Sequence, residues 1–517
     1  MQSFLARHDK NIKGVLSGFD RVRFRGTLRW LANKRGLCAW LYHQQVLYKD
    51  FKSYSIEITN RLRQATIKLA ERFGKPVEYL YSSRIRKELH ARRIAERDQI
   101  TEGLVCILSA LEPCKTFKVR KNREAKELEV QPFEGKCLHY YFYLIDPCVG
   151  WLNVRLQTWF PFTAHIVING REWLARQMQQ KGIEFERREN CFVDIANIRQ
   201  AQRLMNRQQK TDWSKLLNRL LFSVHPSHRT LFGPDELYYY WSADETEWAT
   251  DVMFRSPETL RRVYPRLLRH AVTTFGGNDV LRFLGRRPSV THFHAAELVT
   301  HFGIRAEGAR IKHSLDRNSV KMYDKQGSVL RVETTVNNAR QMKSYRASET
   351  DPDGPKSWRG LRKGVADLYR RTVISQKANE RYLEALSSVD GETTLRETTE
   401  PICRQTSWKG RSARALNPLS EADAALLAAV NRGEFALLGF RNRDLRSELF
   451  GEARDEGDRR RQMTKVTRMI RLLRAHKLVH KIPKTHRYKL SKRGREIINT
   501  LLSVRDVSTQ KLSELAA

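Results

Sequence analysis

The stretch "NSVKMYDKQGSVLRVETTVNN", residues 318–338, allows little besides a β-hairpin. Apolar side chains recur at every second position on both sides of Lys325-Gln326-Gly327, which is the period of a strand and not of a helix. With Gly327 in the left-handed position of a three-residue loop, Met322 faces Leu330, Lys321 faces Arg331, Val320 faces Val332 and Ser319 faces Glu333. Val320, Met322, Leu330 and Val332 then form an apolar face for the core. Lys321, Tyr323, Arg331 and Glu333 gather on the opposite, open face. A cross-strand charge set accounts for that grouping, and so does a site that handles a phosphate.

Elsewhere the chain alternates between helical and strand periods, and the expected fold class is α+β with a separate C-terminal module. Residues 1–114 read as a mainly helical, basic region. Within it "GFDRVRFRGTLRW" sets Val22 and Phe24 against Arg21, Arg23 and Arg25, a strand with a basic face. Asp20 opens that run as a carboxylate among arginines, either a nuclease carboxylate among phosphate contacts or one internal salt bridge. Residues 115–346 read as an α+β body. Its aromatic runs "HYYFYLIDP" and "LQTWFPF" suit a sheet core, or the stacking of unpaired bases. "EWATDVMF" reads as a strand, and "SPETLRRVYPRLLRHAVTTF" as a helix capped by Ser256 with Pro257 at its first position. Residues 347–417 read as a polar loop, a helix and a linker.

Charge narrows the function. Lys+Arg number 95 against 57 Asp+Glu, a formal +38, while 40% hydrophobic residues provide for real cores. Such an excess implies a polyanionic partner, because each neutralised phosphate releases condensed counterions. DNA is the expected partner, RNA is the alternative nucleic acid, and a homodimer is compatible with either. No stretch has the apolar length of a membrane span and the N-terminus lacks the pattern of a signal peptide, so a cytoplasmic protein with no membrane partner is expected. The seven cysteines show no metal or disulfide spacing and read as reduced thiols.

Residues 418–504 follow the order helix, helix, helix, hairpin, helix, which resembles a winged helix-turn-helix DNA-binding domain. In "RRRQMTKVTRMIRLLRAHKLV" Val466, Met469, Ile470 and Leu473 form a core stripe, and Arg461, Lys465, Arg468 and Arg471 take the other side. Acidic partners one turn away, which would mark an ordinary solvated face, are missing. By the resemblance those four cations would meet the major groove, with Lys484, His486 and Arg487 at the wing.

The run "SVKMYDKQGSVLRVETTVNNARQMKSY" resembles the active-site region of plasmid rolling-circle replication initiators of the Rep_trans (pT181) type, over about 250–346. In that family a strand ending Tyr-Asp-Lys precedes an Arg-x-Glu strand and a nucleophilic tyrosine on a helix. Tyr323-Asp324-Lys325, Arg331-Val332-Glu333 and Tyr345 stand here in that order. The resemblance implies a tyrosine attack on a DNA phosphodiester assisted by Mg²⁺ or Mn²⁺. Glu333 would hold the metal, Arg331 or Lys321 would contact the phosphate, and Tyr345 would take the 5′ phosphate. Asp251, in "EWATDVMF", is the remaining carboxylate suited to a second metal ligand.

"SVTHFHAAELVTHFG" contains His292-Phe293-His294, a metal-binding pattern when it lies on a strand. Its context reads instead as a capped helix start, where the two imidazoles point about 200° apart. No P-loop, dinucleotide-binding, HExxH or GxSxG signature occurs. The expected function is a DNA-binding protein of a plasmid or mobile element, acting as a metal-dependent tyrosine nickase in replication initiation or transposition. The alternative is a non-catalytic regulator that grips DNA or structured RNA.

Overall fold

The computed structural model describes residues 1–82, 84–225, 227–232, 237–286, 298–305, 308–387 and 395–505. The chain forms two units, each assembled from separated segments. One comprises Ile12–Arg255 and Lys325–Asn379; the other comprises Met1–Asn11, Ser256–Asp324 and Glu380–Ala517. Nearly all of the region 1–114 therefore belongs to the same unit as the strand Val329–Val336, because its long strand pairs deep inside that unit's sheet.

Helices are mixed with a large sheet, in keeping with the α+β expectation. In the first unit the strands are β1 (Ile12–Leu28), β2 (Val77–Tyr79), β3 (Gly103–Asn122), β4 (Glu127–Asp146), β5 (Gly150–Gln157), β6 (Ala164–Asn169), the small pair β7 (Phe185–Arg188) and β8 (Cys191–Ile195), β9 (Tyr239–Phe254), β10 (Val329–Val336), β11 (Lys343–Arg346) and β12 (Ser357–Gly360). The order across the main sheet is β10-β9-β1-β6-β5-β4-β3-β2, antiparallel throughout except for β2 with β3. β1 holds its alternation: Val22, Phe24 and Leu28 are buried while Arg21, Arg23 and Arg25 are exposed. Every residue of β10 is buried, Arg331 and Glu333 included. The supposedly open side of this strand, at Arg331 and Glu333, is thus interior, because more chain packs over it than a two-stranded pattern can reveal.

The turn before β10 also differs from expectation. The preceding strand runs through Lys325 and β10 starts at Val329, so the loop is 326–328, with both Gln326 (φ 58°) and Gly327 (φ 79°) left-handed. Two positive φ values in succession suit a tight hairpin turn. The polar segment 347–360 is likewise no plain loop: its last four residues form β12, paired with β11.

Three helices of this unit matter for the site: α1 (Gly170–Gln180), α2 (Ile198–Asn206) and α3 (Trp213–Val224). Asn169 caps α1 by accepting from the backbone N–H groups of Arg171 and Glu172. Gly170 lies so near β1 that a Cβ would sit 2.1 Å from the Phe19 carbonyl oxygen. Only glycine lets α1 begin at that point. The helix α4 (Leu368–Leu386) contributes Gln376 and Asn379, which bind Trp248, Thr250 and Thr334.

In the second unit Ser256 caps the helix Pro257–Thr273, its hydroxyl accepting from the Thr259 N–H, with Pro257 in the first turn as expected. The strands Leu298–Arg305, Gly308–Leu315 and Asn318–Lys325 form an antiparallel meander. His292 and His294 lie outside the described residues. The C-terminal part contains α5 (Glu421–Val430), a single turn at Phe435–Leu438, α6 (Asn442–Phe450), α7 (Glu456–Ala475), the hairpin Val479–Lys481 with Tyr488–Leu490, and α8 (Lys492–Arg505). Its core joins Val466, Ile470 and Leu473 of α7 to Leu426, Leu445 and Ile498, and Met469 is partly buried against it. Asn442 does not cap α6; its Nδ2 instead donates to Met463 O and Thr467 Oγ1, tying α6 to α7. All seven cysteines are unbridged. Among the described residues no helix is long and apolar enough to cross a membrane.

Replacing Gly170 by alanine should lower stability by about 1–3 kcal/mol, because the new methyl overlaps backbone and not a movable side chain. Thermal melting measures it; an unchanged Tm would mean that α1 does not seat on β1.

Candidate functional site

The buried charge of β10 meets two other strands and a helix. Arg331 and Asp251 stand opposite one another in the β10–β9 register, and the guanidinium grips the carboxylate with both arms: Nε to Oδ1 at 2.6 Å and Nη2 to Oδ2 at 2.9 Å. Its remaining arm, Nη1, donates to Asp20 Oδ1 at 2.8 Å. Asp20 occupies a bulge in β1, between Phe19, which pairs with Trp248, and Arg21, which pairs with Glu247. A bulge re-aims a side chain that regular alternation would send elsewhere, and here it brings Asp20 to Arg331.

A second arginine enters from the first turn of α1. Arg171, wholly buried, places Nη2 2.9 Å from Asp251 Oδ2 and Nε 3.9 Å from Asp20 Oδ1. Among the described residues its Nε and Nη1 have no hydrogen-bond partner. Asn190, in the turn between β7 and β8, completes the wall: its Nδ2 donates to Asp20 Oδ1 at 2.8 Å and its carbonyl accepts from Arg331. Asn169 holds Asn190 in turn.

Glu333 and Glu247 bring the acids to a cluster. Asp20, Glu247 and Glu333 each offer a carboxylate oxygen, and these oxygens lie within 4.8 Å of one another. Glu333 is fully buried, whereas Glu247 is 12% exposed and bound by Arg21, which is 44% exposed. The outlet of the cluster is therefore at Glu247 and Arg21. Oxygen-only donors at this spacing suit a hard divalent cation such as Mg²⁺ or Mn²⁺.

The two aspartates respond in opposite directions. Burial pushes the Asp20 carboxyl above its ordinary value of 3.8, and Glu333 adds to the rise although Arg331 opposes it. Asp251 suffers the same burial, but Arg171 and Arg331 outweigh it and hold its carboxyl below 3.8. Asp251 is thus the anchored anion and Asp20 the strained one. Next to them the Cys191 thiol is pushed up to about 12, by burial first and then by Asp251.

Of the residues expected from sequence, Glu333, Arg331 and Asp251 do come together. Asp251, expected to ligate metal, is instead held by two arginines, and Asp20 and Glu247 complete the three-acid set. Lys321 belongs to the other unit, where it stands opposite Lys312 with Nζ 5.8 Å from the Tyr323 ring centre. Tyr345 is on strand β11 and not on a helix, because its alternating neighbours pair with β12; it is 58% exposed and faces Trp358. Among the described residues its phenol makes no hydrogen bond, and its ring contact is with Trp358. Arg21, Arg23 and Arg25 are exposed as expected, yet each meets an acid of β9: Glu245 and Glu247, Glu245, and Asp244 respectively. A cross-strand ladder thus takes up much of their charge.

In the C-terminal part Arg461, Lys465, Arg468 and Arg471 are all exposed on α7, and no carboxylate pairs with them among the described residues. Lys484 and His486 are exposed on the hairpin loop. Arg487 is committed elsewhere, donating to the Gly439 carbonyl at 3.0 Å. Glu247, Arg171 and Asn190 were not anticipated. Glu247 had a signal, since it stands four residues before Asp251 on the same face of a strand. Comparison of the chain with known protein families, with curated proteins and with solved structures finds no match.

Asp251→Asn should destabilise the protein by about 3 kcal/mol, since two buried guanidiniums lose their shared anion. Asp251's stabilisation is complete above 3.8 and is lost as pH falls through its lower folded value. Asp20→Asn should stay within about 1 kcal/mol of the parent at neutral pH or exceed it, because it removes a charge that burial opposes. It should also abolish the loss of stability that accompanies a rise of pH through Asp20's elevated value. Chemical denaturation across pH tests both; equal losses would mean the aspartates are equivalent.

Proposed function

We propose that this chain binds DNA and breaks a phosphodiester bond at the cluster Asp20, Glu247 and Glu333, with Mg²⁺ or Mn²⁺ as cofactor, in replication initiation or transposition of a plasmid or mobile element. The observation that carries this reading is the convergence of three carboxylates, their oxygens within 4.8 Å of one another, inside a chain of formal charge +38. A cation bound there would supply Lewis acidity to a phosphoryl oxygen. Arg331 holds Asp20 in its bulged position and Asp251 fixes Arg331, so both act as positioning residues. Arg21, at the outlet, is placed to exchange a carboxylate for an incoming phosphate.

The C-terminal order of three helices, a hairpin and a helix supports a winged helix-turn-helix reading, with α7 toward DNA. Its four uncompensated cations support that role. Arg487 contributes by fixing the hairpin base. Tyr345 is left out of the chemistry in this reading, since a phenol needs an activating neighbour to attack at neutral pH. The second reading, a non-catalytic binder, is favoured by the hydrogen bonds of Arg331 and the ion pairs of Arg171 to Asp20 and Asp251: the network can also serve as a buried structural brace.

Supercoiled plasmid incubated with the protein and Mg²⁺ or Mn²⁺ should become nicked. Glu333→Gln should slow nicking by about a hundredfold or more, while Tyr345→Phe should leave it unchanged. Plasmid that is retarded but intact would favour the binder, and loss of nicking in Tyr345→Phe would restore the tyrosine as nucleophile. Separately, replacing Arg461, Lys465 and Arg468 together should flatten the dependence of log affinity on log salt by roughly three units; an unaltered slope would remove α7 from the contact surface.

A further inference from the structure

The hairpin of β11 and β12 carries an aromatic pair that the core does not use. Tyr345 and Trp358 stand directly opposite each other in the register, with ring centres 5.6 Å apart and planes inclined at 54°. They are 58% and 66% exposed. The contact itself stabilises the hairpin, as cross-strand aromatic pairs do, but that role does not account for two large rings left mostly in water.

The hairpin is held firmly from beneath. Val336, Ala339, Met342 and Leu361 form a small core of their own at its base. The Leu361 N–H donates to Met342 O at 2.9 Å, and Arg346, on the reverse face, reaches Gly360 O and the buried Asp367. The rings therefore stand on a braced support. Lys343 shares their face, two residues before Tyr345, and Lys356 lies two residues before Trp358. Lys343, Lys356 and Arg359 are exposed, and none has a carboxylate partner among the described residues. Of the acids in the connecting loop, Glu349 is engaged by Arg346 and Arg362, while Asp351 and Asp353 occupy the stretch farthest from the strands.

We infer that this hairpin is a stacking platform for single-stranded DNA, on which Tyr345 and Trp358 receive an unpaired base and Lys343 and Lys356 hold the flanking phosphates. A π-face accepts any base, and cations beside it neutralise the backbone that the base brings along. The inference rests on the DNA-binding part of the proposed function and not on the metal centre. It would give Tyr345 a binding role in place of a chemical one.

The test uses the full-length protein in EDTA, so that no metal-dependent step contributes. Fluorescence anisotropy follows a labelled oligothymidylate of about 20 nucleotides and a duplex of equal length. Trp358→Ala should weaken single-strand binding about tenfold and leave duplex binding unchanged; Trp358→Phe should restore most of the affinity. Tyr345→Phe should bind as the parent does. Equal losses on single strand and duplex would overturn the inference. So would parental affinity of Trp358→Ala, which would assign the exposed rings to a protein partner. A loss confined to an oligouridylate of the same length would overturn it in favour of RNA. Because plasmid nicking is scored separately with metal present, failure of the platform and failure of the metal centre give different results.

Discussion

One buried guanidinium organises the middle of the sheet. Arg331 uses every arm: two on Asp251, one on Asp20 and a further contact on the Asn190 carbonyl. Its partners come from β9, from the bulge in β1 and from the turn between β7 and β8, so the ion set can form only when three remote parts of the chain are already in place. Charge buried this deeply is tolerated only with such geometry, since desolvation opposes each ion and hydrogen bonds must offset it. The seating of α1 follows from the same demand: Gly170 brings the helix close enough for Arg171 to reach Asp251.

The two buried aspartates of the network are not equivalent. Asp251, beside Arg171 and Arg331, is held below its ordinary value, while burial raises the Asp20 carboxyl. Sites that bind a cation or move a proton commonly carry this kind of local destabilisation, because the ligand or proton that relieves it is part of the function. The arginine ladder of β1 shows the contrasting case: Arg21, Arg23 and Arg25 meet Asp244, Glu245 and Glu247 at the surface, where water screens each pair and little depends on any one of them.

Much of the local structure was legible. Period two announced β1, β9 and β10; Ser256 and Pro257 announced the helix they begin; and the apolar stripe of α7 marked Val466, Ile470 and Leu473 as core. Glu333, Arg331 and Asp251 were legible as charged residues on strands, because a charge inside a strand pattern is conspicuous. Their burial was not, since alternation separates two faces without saying which of them more chain will cover. Tyr345 was placed on a helix by resemblance, yet its neighbours alternate and pair with residues 357–360, an association that depends on a partner thirteen residues away.

The amino-acid sequence alone determined β1, β9 and β10 as strands, the helix start at Ser256, the cationic surplus and the C-terminal order of elements, because propensity, periodicity and net charge are properties of short segments or of simple sums. Only the tertiary structure decided that Asp20, Glu247 and Glu333 meet, that Asp251 serves the arginines, and that residues 12–28 lie between β6 and β9. Those outcomes depend on a one-residue bulge, a glycine that admits a helix, and pairings between strands more than two hundred residues apart. Such long-range register is settled by the packing of the whole sheet and leaves no periodic trace along the chain.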